Sequence, residues 1–321
     1  MGVSLGREGA PKQAGAVFAN LVSDRARLSD DERRLLVACG AGAGMAAAYG
    51  VPLGGALFAL EVLRGMLSLR LVLPALLTTL TATGVSWAFL PDAPTYALPA
   101  YRSSLDVAVW AVLAGLVAGV VSVGYVRAVA WADSHKPAGR ARLIAPVVVL
   151  GLLGVLSVPL PQLLGNGRDV AQEAFTGGVT LPILAVLVVL RPAMTILCLG
   201  SGAPGGLFTP SLATGALLGG LLGLPWSWLF PGTPAGEFAV LGAAAVLAAT
   251  TQGPISTAVL MMELTGHARA SMVPMLLVIA TATLVARTIE PRSVYDARLS
   301  DDEVRARQQQ REHAPPGLAP S

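Results

Sequence analysis

Residues 200–212 read GSGAPGGLFTPSL, with four closely spaced glycines and two prolines set between two long apolar runs. Gly and Pro are the residues least suited to a helix interior. Lipid tolerates non-helical backbone only where protein buries it or where it lines a cavity. In a chain built to cross a bilayer, this stretch therefore marks a broken helix whose backbone groups are available to a ligand.

The surroundings establish that such a chain is at hand. It is 54% hydrophobic and 13% charged, with a mean hydropathy of +0.66, whereas a soluble domain carries roughly a quarter charged residues. Apolar runs recur at 71–90, 105–130, 143–160, 181–199, 213–230, 238–262 and 270–286. Several reach the ~20 residues that span a bilayer. The fold class is all-α and polytopic, and the lipid bilayer is its solvent.

The net charge is +3, and nearly all the basic residues are Arg. They cluster at 25–34, 64–70, 127–142 and 287–311, while the connections at 91–101 and 231–237 are poor in Arg and Lys. Arginines in loops, without interleaved aromatics, argue against a nucleic-acid surface. They fit the positive-inside rule, which places these clusters and the C-terminus in the cytoplasm. From about residue 300 the chain turns polar. Residues 1–300 read as the transmembrane domain and 301–321 as a short disordered cytosolic tail. Cys39 and Cys198 stand alone in apolar stretches, as small buried residues do, and His135, His267 and His313 are scattered. No metal or disulfide spacing exists, and neither a signal peptide before the first span nor a cofactor is expected.

Placing 25–34 and 64–70 on one face makes residues 35–63 leave and return. About 29 residues at 1.5 Å each are too few for two full crossings, and GVPLGG at 50–55 is a natural break. The expectation is two short, tilted helices meeting at Val51 and Pro52, an arrangement typical of transporters. Gly40 and Gly44, among neighbouring alanines, let helices approach closely. They do not fit GxGxxG, and no strand precedes them.

A second stretch shares the design of the first. SLGREGAPKQAG at 4–15 and GSGAPGGLFTPSLATG at 200–215 each set a glycine-rich break before a proline-bearing helix start. Pro11 and Pro210 read as helix N-termini, with Gly6, Gly205 and Gly206 before them. Such termini present unpaired N–H groups and partial positive charge. Two of them aimed at one point would receive a desolvated anion. The bland alternative is a pair of kinks with ordinary caps, and Glu8 would then be a plain acidic residue of a first turn.

These residues resemble the CLC chloride channels and chloride/proton antiporters. GREGAP at 6–11 is similar to the family's GREGP motif and GGLFTP at 205–210 to its GxFxP motif. VPLGGALFALEV at 51–62 and SVYDARL at 293–299 resemble two further segments, in the same order, over residues 4–300. The resemblance implies an inverted repeat of broken helices, a homodimer, and a chloride ion as partner. It implies chloride contacts from the backbone around Arg7, Glu8 and Gly9, from the amides of Leu207 and Phe208, and from the Tyr295 hydroxyl. Glu8 would be the gate, its carboxylate occupying an anion position and leaving when protonated.

Three departures accompany the resemblance. The family's proton-coupled members carry an internal glutamate where this chain has Val62, which cannot relay a proton, and Glu61 beside it reads as structural. Position 10 is Ala where the motif has Pro, with Pro11 following at once. The serine-bearing first motif should lie upstream of Gly6, so the first half of the repeat is expected to be incomplete and Met1 to be a late start. Glu263 reads as a structural, hydrogen-bonded carboxylate. Arg191 is expected to snorkel to the interface, and Gly165, Gly167 and Asp169 to form an extracellular turn.

No nucleophile triad, metal cluster or nucleotide loop is present, so no enzyme is expected. The expected activity is chloride movement across a cell membrane, of the bacterial inner membrane type. It would be channel-like or weakly proton-coupled. The alternatives are an antiporter with another proton route and a non-transporting scaffold or partner.

Overall fold

The computed structural model describes residues 2–99, 101, 104–266, 271–299, 302 and 304. Most of the expected tail at 301–321, with His267 and His313, lies outside the described residues. Helices α1 (Gly9–Ala26), α2 (Asp30–Tyr49), α3 (Pro52–Phe58) and α4 (Leu69–Ser86) form a first group. A π-helical stretch, Ala59–Arg64, extends α3. Helices α5 (Leu105–Ser134), α6 (Ala141–Ser157), α7 (Arg168–Phe175) and α8 (Leu181–Gly200) follow. The last group is α9 (Phe208–Leu229), α10 (Ala235–Thr251), α11 (Pro254–Thr265) and α12 (Met272–Ile289). Five of these, α4, α5, α8, α9 and α12, are long and apolar enough to cross a bilayer.

The first and last groups repeat one plan. Helices α1 and α2 cross with glycine against backbone, a Cβ on Gly15 or Gly44 overlapping a carbonyl oxygen of the other helix. Gly215, Gly219 and Gly242 do the same where α9 meets α10. Close approach of this kind is what small residues supply between helices in lipid. Each plan then breaks at a proline. Gly50 (φ 67°) and Gln252 (φ 57°) are both left-handed. Val51 (φ −124°, ψ 67°) and Gly253 (φ −120°, ψ 73°) share one conformation, and Pro52 and Pro254 open the next helix.

The expected break at Val51 and Pro52 is thus present, but α2 begins at Asp30, inside the basic stretch read as a loop. Glu32 explains the early start, because its carboxylate accepts the N–H and hydroxyl of Ser29 at the helix head. The run at 238–262 is two helices rather than one, since Pro254 lacks the N–H that would continue α10. Glu61 and Glu263 are structural as expected. Glu61 accepts the N–H groups of Ile255 (3.1 Å) and Ser256 (2.6 Å) at the start of α11. Glu263 accepts those of Leu53 (3.0 Å) and Gly54 (2.7 Å) at the start of α3.

Arg191 does not snorkel. It is fully buried in α8, and its guanidinium donates to the carbonyls of Gln162, Leu164 and Gly165. Those carbonyls face inward from an irregular stretch, and a five-donor fork satisfies several at once. A turn exists there, with Gly165 (φ 72°) and Gly167 (φ 99°) left-handed, but Asp169 belongs to the first turn of α7, which starts at Arg168. Large apolar side chains, including Leu73, Leu77, Val147, Val155, Val189 and Leu284, point outward. Polar groups such as Glu8, Arg191 and Thr195 are inside. That is the arrangement of a chain whose surroundings are lipid.

Candidate functional site

The two glycine-rich stretches meet. Gly6 and Gly206 exchange both backbone hydrogen bonds, at 2.8 and 2.9 Å, as an isolated antiparallel bridge. From this junction α1 and α9 start, with Pro11 and Pro210 each the third residue of its helix. Glu8 and Leu207 are the two N-cap residues. The pairing brings two helix heads, and their unpaired N–H groups, to one buried place.

Glu8 makes no cap on its own helix. Its side chain, 1% exposed, crosses to α9 and accepts the N–H of Phe208 at 2.7 Å. The hydroxyls of Thr209 (3.4 Å) and Tyr49 (3.5 Å) approach its other oxygen, and Tyr49 and Thr209 are 3.0 Å apart. The glycines are what make room. A Cβ on Gly6 would overlap both carboxylate oxygens of Glu8, and one on Gly206 would overlap Oε1. The carboxylate also lines a cavity of about 300 Å³ shared with Arg7, Tyr49, Arg168 and Asp169.

Of the residues singled out in the sequence, Gly6, Glu8, Gly9, Gly205, Gly206, Leu207 and Phe208 come together here. Arg7 is exposed and reaches the site only as part of the lining of that same cavity. Tyr295 is close by through rings: it meets Phe58 edge-on at 5.9 Å, and Phe58 meets Phe208 edge-on at 6.2 Å. Its hydroxyl accepts from Lys12 Nζ at 3.4 Å. Val62 is 4% exposed and packed in the apolar core. Lys12, Tyr49, Phe58 and Thr209 were not anticipated. Lys12 and Thr209 had a signal in their places, one turn after Glu8 and within the second motif.

The sequence model of the voltage gated chloride channel family matches residues 1–287. The chain belongs to this family. It is 32% identical over 312 residues to the H(+)/Cl(-) exchange transporter ClcA of Vibrio parahaemolyticus, covering 93% of this chain and 66% of that protein. It is 34% identical over 308 residues to the voltage-gated ClC-type chloride channel ClcB of Citrobacter koseri, covering 92% and 71%. Among solved structures, a slow cyanobacterial Cl-/H+ antiporter matches with a TM-score of 0.80 at 25% identity, over 97% of this chain and 73% of that one. The chain thus spans about two thirds of the length of such relatives. Family membership and the outward apolar helices make it a multi-pass membrane protein.

Proposed function

We propose that the chain carries a small anion, chloride foremost, through a pathway gated by Glu8. One observation carries this reading. A buried carboxylate occupies the head of α9, where it accepts the Phe208 N–H at 2.7 Å. A helix head favours negative charge and donates hydrogen bonds, so carboxylate and chloride compete for one seat. When Glu8 is protonated or swings away, the amides of Leu207 and Phe208 receive the ion. The backbone at Arg7, Glu8 and Gly9 forms the opposing wall. Tyr295 accepts one hydrogen bond from Lys12, and its own hydroxyl proton is available to the ion.

Val62 stands where the family's proton-coupled members have an acid, and it is an apolar core residue here. Transport is therefore channel-like or weakly coupled. The similarity to an exchange transporter at 32% identity favours a second reading, antiport by another proton route. A chain that only scaffolds a longer relative is the remaining alternative. The apolar outer faces around 52–63 and 253–286 are assigned to a homodimer contact. The basic stretch from Arg287 is assigned to the cytoplasmic side of a bacterial inner membrane. Residues 1–300 are the transport unit and 301–321 the tail.

The test is chloride efflux from liposomes with simultaneous pH recording, for the wild type and Glu8→Gln. The reading expects flux whose dependence on acid is lost in Glu8→Gln, with little proton movement. Absence of flux from folded protein in both would overturn it, and strict proton coupling would overturn its channel-like part.

A further inference from the structure

Lys12 is one of only two lysines in the chain, the other being Lys136. It lies on α1 one turn after Glu8, its N–H donating to the Glu8 carbonyl at 3.2 Å. Its ammonium is flanked by aromatic rings from three distant segments. Nζ is 4.6 Å from the centre of the Phe58 ring, 5.1 Å from that of Tyr295 and 5.8 Å from that of Phe208. The Tyr295 hydroxyl, at 3.4 Å, accepts one of its three hydrogens. Among the described residues no carboxylate lies within 4.0 Å of it.

Ring faces attract a cation through their quadrupoles, but the attraction is about 0.5–2 kcal/mol and does not neutralise the charge. Lys12 is half-buried, and an ammonium partly withdrawn from water in an apolar setting favours a nearby anion. The cage thus holds a fixed positive charge beside the seat of Glu8 and leaves two of its three N–H donors to something other than Tyr295. We propose that Lys12 is a ligand of the transported anion. It binds a small monovalent anion between Nζ and the Tyr295 hydroxyl, and thereby sets how tightly that ion is held. This rests on the reading of the site as an anion pathway. A helix head offers only partial charge, whereas Lys12 adds a full one, so the site holds its ion more tightly than backbone amides alone would.

Chloride titration calorimetry on the purified chain in a chloride-free buffer tests this. Glu8→Gln, which vacates the α9 head, is compared with Glu8→Gln/Lys12→Met and Glu8→Gln/Lys12→Arg. Loss of one charge-assisted contact corresponds to roughly tenfold or more weaker binding. That loss is expected for the Met variant, with most of the affinity kept in Lys12→Arg. Equal affinity in a Lys12→Met variant of unchanged melting temperature would overturn the proposal and make Lys12 a water-solvated cation. No chloride binding by Glu8→Gln itself would overturn the anion pathway and this role with it. If Lys12→Met does not fold, the position of bromide in crystals of Glu8→Gln decides. An anomalous peak in contact with Nζ supports the role, and peaks only elsewhere reject it.

Discussion

Glu61 and Glu263 cap one another's helices. Each stands nine residues after the proline that opens its own segment, Pro52 or Pro254. Each reaches across to take two backbone N–H groups at the first turn of the other segment. The two halves of the repeat are thereby locked head to head. The contact fixes how α3 and α11 are placed, and so where Phe58 stands against Phe208 and Tyr295.

Removal of either cap leaves two helix-head donors without their carboxylate. Glu61→Ala and Glu263→Ala are each expected to cost about 1–2 kcal/mol of stability, read as a lower melting temperature in detergent. Gln, which keeps an acceptor, restores part of the loss. A melt unchanged by both Ala variants would show that the reciprocal caps hold nothing.

Gly206 is a space reserved for Glu8, since a Cβ there overlaps Oε1, Cδ and Cγ of that side chain. Gly206→Ala is expected to expel the carboxylate and raise chloride flux at neutral pH, the same outcome expected of Glu8→Gln. The two changes act on one event, so the double variant differs little from Glu8→Gln alone. Independent, additive effects on flux would contradict this.

Arg191 holds three inward carbonyls, and no carboxylate lies within ion-pair distance of it among the described residues. Arg191→Met leaves those carbonyls unpaired, at about 1–3 kcal/mol for each buried group lost. Arg191→Lys is expected to melt early as well, because an ammonium lacks the planar fork. A Lys variant as stable as the wild type would refute the fork requirement.

Much of this was legible in the residues, and the failures have physical causes. Gly-Pro punctuation exposed the breaks before α1, α3 and α9, because those residues act locally. The break between α10 and α11 was missed although TTQGP at 250–254 carries the same Gly-Pro signal, because the apolar residues on either side together are long enough for one span. Arg191 was misplaced because its partners lie 26 to 29 residues earlier in an irregular stretch. Lys12 went unread for the same reason, its cage coming from Phe58, Phe208 and Tyr295. The reciprocal caps did leave a trace, the proline-to-glutamate spacing that both halves share.

Glu290 follows the end of α12 and accepts from Arg292 (2.8 Å) and Arg127 (3.2 Å). Arg292 first, and then Arg127, hold its carboxyl below the usual carboxylate range against the opposing effect of partial burial. A carboxyl so depressed stabilises the fold above its ordinary range and loses that contribution as pH falls through the depressed value. Both arginines are partly exposed, so the contribution is about 1 kcal/mol or less. Glu290→Gln is expected to lower the melting temperature at pH 7, the difference closing as pH drops below about 4. A difference that widens on acidification would reverse the sign and contradict the clasp.

The most direct measurement concerns the head of α9 itself. Crystals of the Glu8→Gln variant grown in bromide would be examined by anomalous scattering. If the carboxylate occupies an anion's seat, bromide appears within hydrogen-bond reach of the Phe208 N–H. A folded variant with that position empty of bromide would contradict the assignment of Glu8 as the gate of an anion pathway.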